Sequence, residues 1–101
     1  DLSLLSCQEF DAELAREIIS FMLENDIYVQ VYKDDYFYYA TECDASKQYK
    51  KSSGMEGKAV GDLLRFVTFP TPKVLGVTHP EEVARLLPVA EQRFAGRVAF
   101  R

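Results

Sequence analysis

Ile27-Tyr28-Val29-Gln30-Val31-Tyr32-Lys33-Asp34-Asp35-Tyr36-Phe37-Tyr38-Tyr39-Ala40-Thr41-Glu42 is the stretch on which the fold turns. β-Branched and aromatic residues crowd both sides of a short polar break, a pattern that predicts two strands joined in a hairpin at Asp34-Asp35. With a two-residue loop, facing residues are symmetric about the turn, so Val31 is expected opposite Tyr38 and Tyr32 opposite Phe37. Side chains alternate between the faces of a strand. One face then carries Ile27, Val29, Val31, Tyr38 and Ala40 and is expected to pack on a helix. The other carries Tyr28, Gln30, Tyr32, Phe37, Tyr39 and Thr41, aromatic but polar-tipped, and is expected to be open. Exposed aromatic surface of this kind either meets another layer, domain or ligand, or simply shields a sheet edge.

The segments on either side supply the covering layer. Asp11 suits a helix N-cap and Glu13 its first turn, where carboxylates meet unpaired N–H groups. Leu14, Ile18, Phe21 and Met22 follow at helical spacing, and Asn25 is expected to close the helix in a left-handed conformation. Upstream, Leu2 to Phe10 reads as a strand. Downstream, Asp44 or Ser46 is expected to cap a short helix through Tyr49 and Lys51, ended by Ser52-Ser53-Gly54. A second short helix is expected over Lys58–Phe66, from the spacing of Val60, Leu63 and Leu64. Pro70 and Pro72 bias their predecessors away from helix, so an extended connector precedes a strand over Thr71–Val77.

The last helix is predicted to open with His79 as N-cap, Pro80 at the first position and Glu82 as the N3 acid. Val83, Leu87, Ala90 and Phe94 form its apolar stripe. Pro88 within this run costs about 3 kcal/mol in a continuous helix, so a kink or two abutting helices is expected there. Gly96 ends it, and Gly96–Arg101 reads as a returning strand. The expected architecture is α/β of the α+β kind: an antiparallel or mixed sheet of about four to five strands, helices covering one face, an open-faced sandwich.

Composition sets the functional bounds. A chain of 101 residues with 48% hydrophobic content is one domain with a modest core. Sixteen acidic against twelve basic residues give a net charge of -4, which argues against nucleic acid, because phosphate binding needs a clustered basic face. Only Lys47, Lys50 and Lys51 cluster, as on a solvated helix face. Cys7 and Cys43 show no metal or redox spacing, and the single histidine, His79, reads as a cap rather than a catalyst. Gly54, Gly57 and Gly61 do not form a phosphate loop. No secretory h-region and no membrane-length apolar run is present, so a soluble cytoplasmic protein is expected. The chain opens on Asp1 inside a strand pattern and ends within another, so residues 1–101 are expected to be one domain of a larger protein.

The runs Asp11-Ala12-Glu13-Leu14-Ala15-Arg16-Glu17-Ile18-Ile19, Ile27 to Tyr32 with Tyr36 to Glu42, Val60-Gly61-Asp62-Leu63-Leu64, Pro72-Lys73-Val74-Leu75, and Pro80-Glu81-Glu82 through Leu86-Leu87-Pro88 to Arg93-Phe94 and Gly96-Arg97-Val98 resemble, in order and spacing, the type-two cap domain of Cof-type phosphatases of the haloacid dehalogenase superfamily. His79 departs from the family's frequent acid before the proline, and Gly54–Lys58 is idiosyncratic. The resemblance implies a cap inserted into a Rossmann-like core of the same parent chain. That core would supply the aspartate nucleophile, a lysine and the magnesium-holding acids, and none of those motifs is in this chain. Asp34-Asp35 lacks the D-x-D spacing and the Gly-Thr that follows it. No catalytic or metal-binding residue is therefore expected here.

A cap selects the substrate and closes over it. On this resemblance Tyr28, Tyr32, Phe37, Tyr39 and Thr41, with the polar loop residues Glu42, Tyr49 and Lys50, are expected to face the core or a small phosphorylated metabolite, a sugar phosphate or a nucleotide-like phosphoester. The alternative is a free-standing ferredoxin-like or ACT-like module that binds a small ligand or a partner through the same face. A third reading is a bare interaction domain.

Overall fold

The computed structural model describes residues 3–97, with side chains from residue 11 onward. Leu2 and the greater part of the expected strand over Gly96–Arg101 lie outside the described residues. Gly96 and Arg97 themselves form a turn. The order is β1 (Ser3–Phe10), α1 (Ala12–Glu24), β2 (Tyr28–Lys33), β3 (Tyr36–Tyr39), α2 (Asp44–Ser53), β4 (Glu56–Ala59), α3 (Leu63–Phe66), β5 (Thr71–Thr78) and α4 (Pro80–Arg93). The strands form one mixed sheet in the order β1-β5-β2-β3-β4, antiparallel except for the parallel β3–β4 pair. The molecule is thus the small open-faced α+β domain expected from the sequence.

The hairpin has the expected register, Val31 opposite Tyr38 and Tyr32 opposite Phe37, with Asp34 taking the positive φ of 58° that its tight loop requires. Its aliphatic face meets α1. Ile18, Ile19, Phe21 and Met22 pack against Ile27, Val29, Val31 and Val74, and Leu86, Ala90 and Phe94 of α4 with Leu63 of α3 complete this core. Burying such side chains contributes about 1.5–3 kcal/mol each, which outweighs any local preference in these helices. Phe21 and Phe94 meet edge to face, with centroids 5.9 Å apart, and so join α1 to the end of α4. Gly76 of β5 lets Met22 settle on the sheet, because an added Cβ would lie 2.9 Å from Met22 Sδ.

Three expectations are corrected at element ends. Asp11 caps α1 through Leu14 N–H as expected, but Asn25 has φ −106° and the left-handed residue is Asp26. Asn25 instead turns its side-chain amide onto the Phe21 carbonyl. The N-cap of α2 is Cys43, with Ser46 at the third helical position closing a reciprocal cap. Lys58 belongs to strand β4, and the expected Lys58–Phe66 helix shrinks to Leu63–Phe66 behind an Asp62 cap. Pairing with β3 wins over the helical spacing there, since Glu56-Gly57-Lys58-Ala59 has no apolar stripe to hold a helix.

Helix α4 begins at the His79 cap as expected and runs unbroken through Pro88 rather than as two helices. Pro88 and Ala84 are both exposed, so the carbonyl that loses its helical donor belongs to the solvent side of the helix, where a lost bond costs least. Its inward stripe is Leu86, Ala90 and Phe94, with Val83 and Leu87 half-buried.

Candidate functional site

Alternation along β2 and β3 places Tyr28, Gln30, Tyr32, Phe37 and Tyr39 on the sheet face away from α1 and α4. Helix α2 lies on that face. Tyr32, Phe37, Tyr39 and Leu75 form a second, smaller core with Tyr28, Tyr49, Met55 and Val77 packed around it. The face expected to be open is therefore partly roofed: Tyr32 is 7% exposed, Tyr39 3% and Phe37 0%. Tyr28 and Tyr49 are half-buried at its margin, while Thr41, Glu42 and Lys50 are exposed. Of the eight residues singled out from the sequence, the second core brings together Tyr28, Tyr32, Phe37, Tyr39 and Tyr49.

Tyr49 meets the other rings at steep angles, and Phe37 and Tyr39 lie tilted at 36°. Tyr49 meets Phe37 at 5.0 Å and Tyr32 at 6.1 Å, both near 70° interplanar, and Phe37 meets Tyr39 at 5.6 Å. Beneath Phe37 lies Gly57 of β4, its register partner, where any side chain would overlap the ring. A glycine is what lets an aromatic ring lie flat on a neighbouring strand.

The polar tips form a directed chain. Tyr28 Oη donates to Gln30 Oε1 at 2.6 Å, and Gln30 Nε2 donates to Tyr32 Oη at 2.8 Å. Gln30 is fully buried, and its side-chain amide uses both ends in this chain. Burial pushes the Tyr32 phenol well above its ordinary range, reinforced by the neighbouring Tyr49 phenol and opposed by the donor from Gln30. Burial is also the main cause of the raised Tyr28 phenol, with smaller effects from Cys43, Tyr39 and Tyr49. Both stay neutral donors across the physiological range. Neither is activated as a base or nucleophile.

Two neighbours of the site escaped sequence reasoning. Lys73 of β5 holds its ammonium 5.2 Å over the Tyr32 ring, and Thr71 donates its hydroxyl to the Tyr32 carbonyl at 2.8 Å. Strand alternation already put Gln30 on this face, but the β2–β5 pairing that brings Lys73 and Thr71 beside it joins distant parts of the chain. Among the described residues no three of His, Cys, Asp and Glu cluster as metal ligands. Asp34, Asp44 and Asp62 stand on a hairpin loop and two helix starts, separate from one another in the fold. No helix of the described residues is long and apolar enough to cross a membrane. Compared with protein-family models, curated proteins and solved structures, the chain matches none.

Proposed function

We propose that this chain is the specificity cap of a magnesium-dependent phosphatase of the haloacid dehalogenase type, working over a catalytic core of the same parent protein in the cytoplasm. The observation that carries the proposal is the second face of the sheet, where hydroxyl-tipped rings gather on the side away from the two long helices. A cap needs such a surface: rings to flank an organic leaving group, and neutral donors that hold their protons while the core handles the charged phosphate. Tyr28 and Tyr49 offer hydroxyls at the margin of this surface, Thr41, Glu42 and Lys50 are exposed, and Tyr32, Phe37 and Tyr39 support it from below. The order of strands and helices, with the runs quoted above, supports the same reading. Magnesium and the nucleophile belong to the core in this proposal, and no step of the chemistry is assigned to residues of this chain.

The test is to express the gene product containing this segment and assay it with a panel of phosphomonoesters. Tyr32→Phe and Tyr39→Phe should then change the ranking of substrates by kcat/KM while leaving magnesium dependence intact. Absence of phosphatase activity, or a ranking untouched by both substitutions, would overturn the assignment and favour a ligand-binding module.

A further inference from the structure

Helix α2 is built unlike the other long helices. Its sequence, Asp44-Ala45-Ser46-Lys47-Gln48-Tyr49-Lys50-Lys51-Ser52-Ser53, buries one side chain fully, Ser46, and two partly, Ala45 and Tyr49, whereas α1 buries five. Lys47, Lys50 and Lys51 all point to solvent. The helix is therefore held down by one large side chain, Tyr49, lodged edge-on against Phe37 and Tyr32.

Both of its ends are closed locally. Ser46 Oγ accepts from Cys43 N–H and donates to the Cys43 carbonyl, each at 2.9 Å, and Gly54 N–H caps the Lys50 carbonyl from a left-handed φ of 74°. A helix capped by its own flanking residues can leave the sheet as a unit, and ten residues off the sheet are only marginally helical, so their amides open to exchange there. Beneath it the directed hydrogen-bond chain runs from Tyr28 through Gln30 to Tyr32, whose ring Tyr49 meets at a steep angle. The sheet below is tied down independently by the β2–β5 ladder and by Thr71.

We infer that α2 is a lid, latched by Tyr49, which swings off the sheet as a unit between Cys43 and Gly54 and bares the Tyr32 phenol with the rings of Phe37 and Tyr39. The ligand that replaces Tyr49 presents what Tyr49 presented, a flat aromatic group against the rings of Phe37 and Tyr32. Site access is then a local opening, drawn from the weakly held part of the fold rather than from its core. The inference concerns the motion of this chain and stands apart from the identity of the parent enzyme.

Amide hydrogen exchange on the whole chain tests it. The α2 amides from Lys47 to Gly54 should exchange ~100-fold or more faster than those of Ile18 to Met22, and their rates should stay flat in low urea where the α1 amides respond, the mark of local opening. Tyr49→Ala should speed α2 exchange a further ~10-fold without changing protection in α1 or β5; Tyr49→Phe, which keeps the ring, should do so less. Protection in α2 equal to that in α1 would overturn the lid. So would a Tyr49→Ala chain in which α1 and β5 lose protection in step with α2. The wild-type comparison decides the matter even where Tyr49→Ala fails to fold.

Discussion

Replacing Gly57 by alanine probes the packing beneath the aromatic face most directly. An added Cβ would sit within 2.8 Å of three Phe37 ring carbons. That ring cannot withdraw, because it is fully buried and pinned by Tyr39 at 5.6 Å and Tyr49 at 5.0 Å. Overpacking of this kind costs about 1–3 kcal/mol. Alanine also removes about 0.4–1 kcal/mol of unfolded-state entropy relative to glycine, which works in the opposite direction. The net expectation is a loss of about 1–2 kcal/mol, read in urea as a fall in midpoint of roughly 1 M at unchanged slope, and on heating as a fall in Tm of roughly 5–15 °C.

Phe37→Leu in the same chain should relieve the overlap, so the double variant should lose less than the sum of the single losses by at least ~0.5 kcal/mol. A Gly57→Ala protein as stable as the parent, or strictly additive losses, would refute the claim that this glycine exists to seat the ring.

Three further outcomes follow from the same geometry. Phe21→Ala should cost about 3–5 kcal/mol in chemical denaturation, since it removes both a fully packed ring and its edge contact with Phe94 between α1 and α4. At the alkaline end, Tyr28 and Tyr32 have phenols raised in the folded state, so their stabilisation is whole below the ordinary phenol range near pH 10 and declines as pH rises beyond it. The slope is at most about 1.4 kcal/mol per pH unit for each, less for half-exposed Tyr28, and Tyr32→Phe should flatten it in urea titrations at pH 9–11.5. At the acid end, the hydrogen bond and charge of Arg97 hold Glu17 below its ordinary value. Its contribution is present above about pH 4.5 and fades as pH falls through the lowered folded value, so Arg97→Gln should remove that part of the acid dependence without changing stability differences at the lowest pH.

Much of the fold was legible because its signals are local. The Asp34-Asp35 loop sets the register of Val31 with Tyr38 through the symmetry of a two-residue hairpin, a relation that needs no distant residue. The Asp11 cap and the Leu14–Met22 stripe likewise specify α1 within its own sequence. Strand β4 was hidden because its four residues carry neither β-branched side chains nor alternation. Only their seat beside β3, with Gly57 beneath Phe37, makes them a strand. The site residues were found by alternation along β2 and β3, but their exposure was not, since the position of α2 is fixed by a single tyrosine rather than by an apolar stripe.

The sequence by itself determined which residues share each face, because strand and helix periods are properties of the backbone. Tertiary structure alone decided what covers those faces. The order β1-β5-β2-β3-β4 brings Lys73 and Thr71 beside Tyr32, and α2 roofs part of the expected open aromatic surface, with Tyr28 and Tyr49 at its margin. Those placements rest on contacts between segments tens of residues apart, whose energies depend on how all the layers pack together and are not contained in any one stretch of the chain.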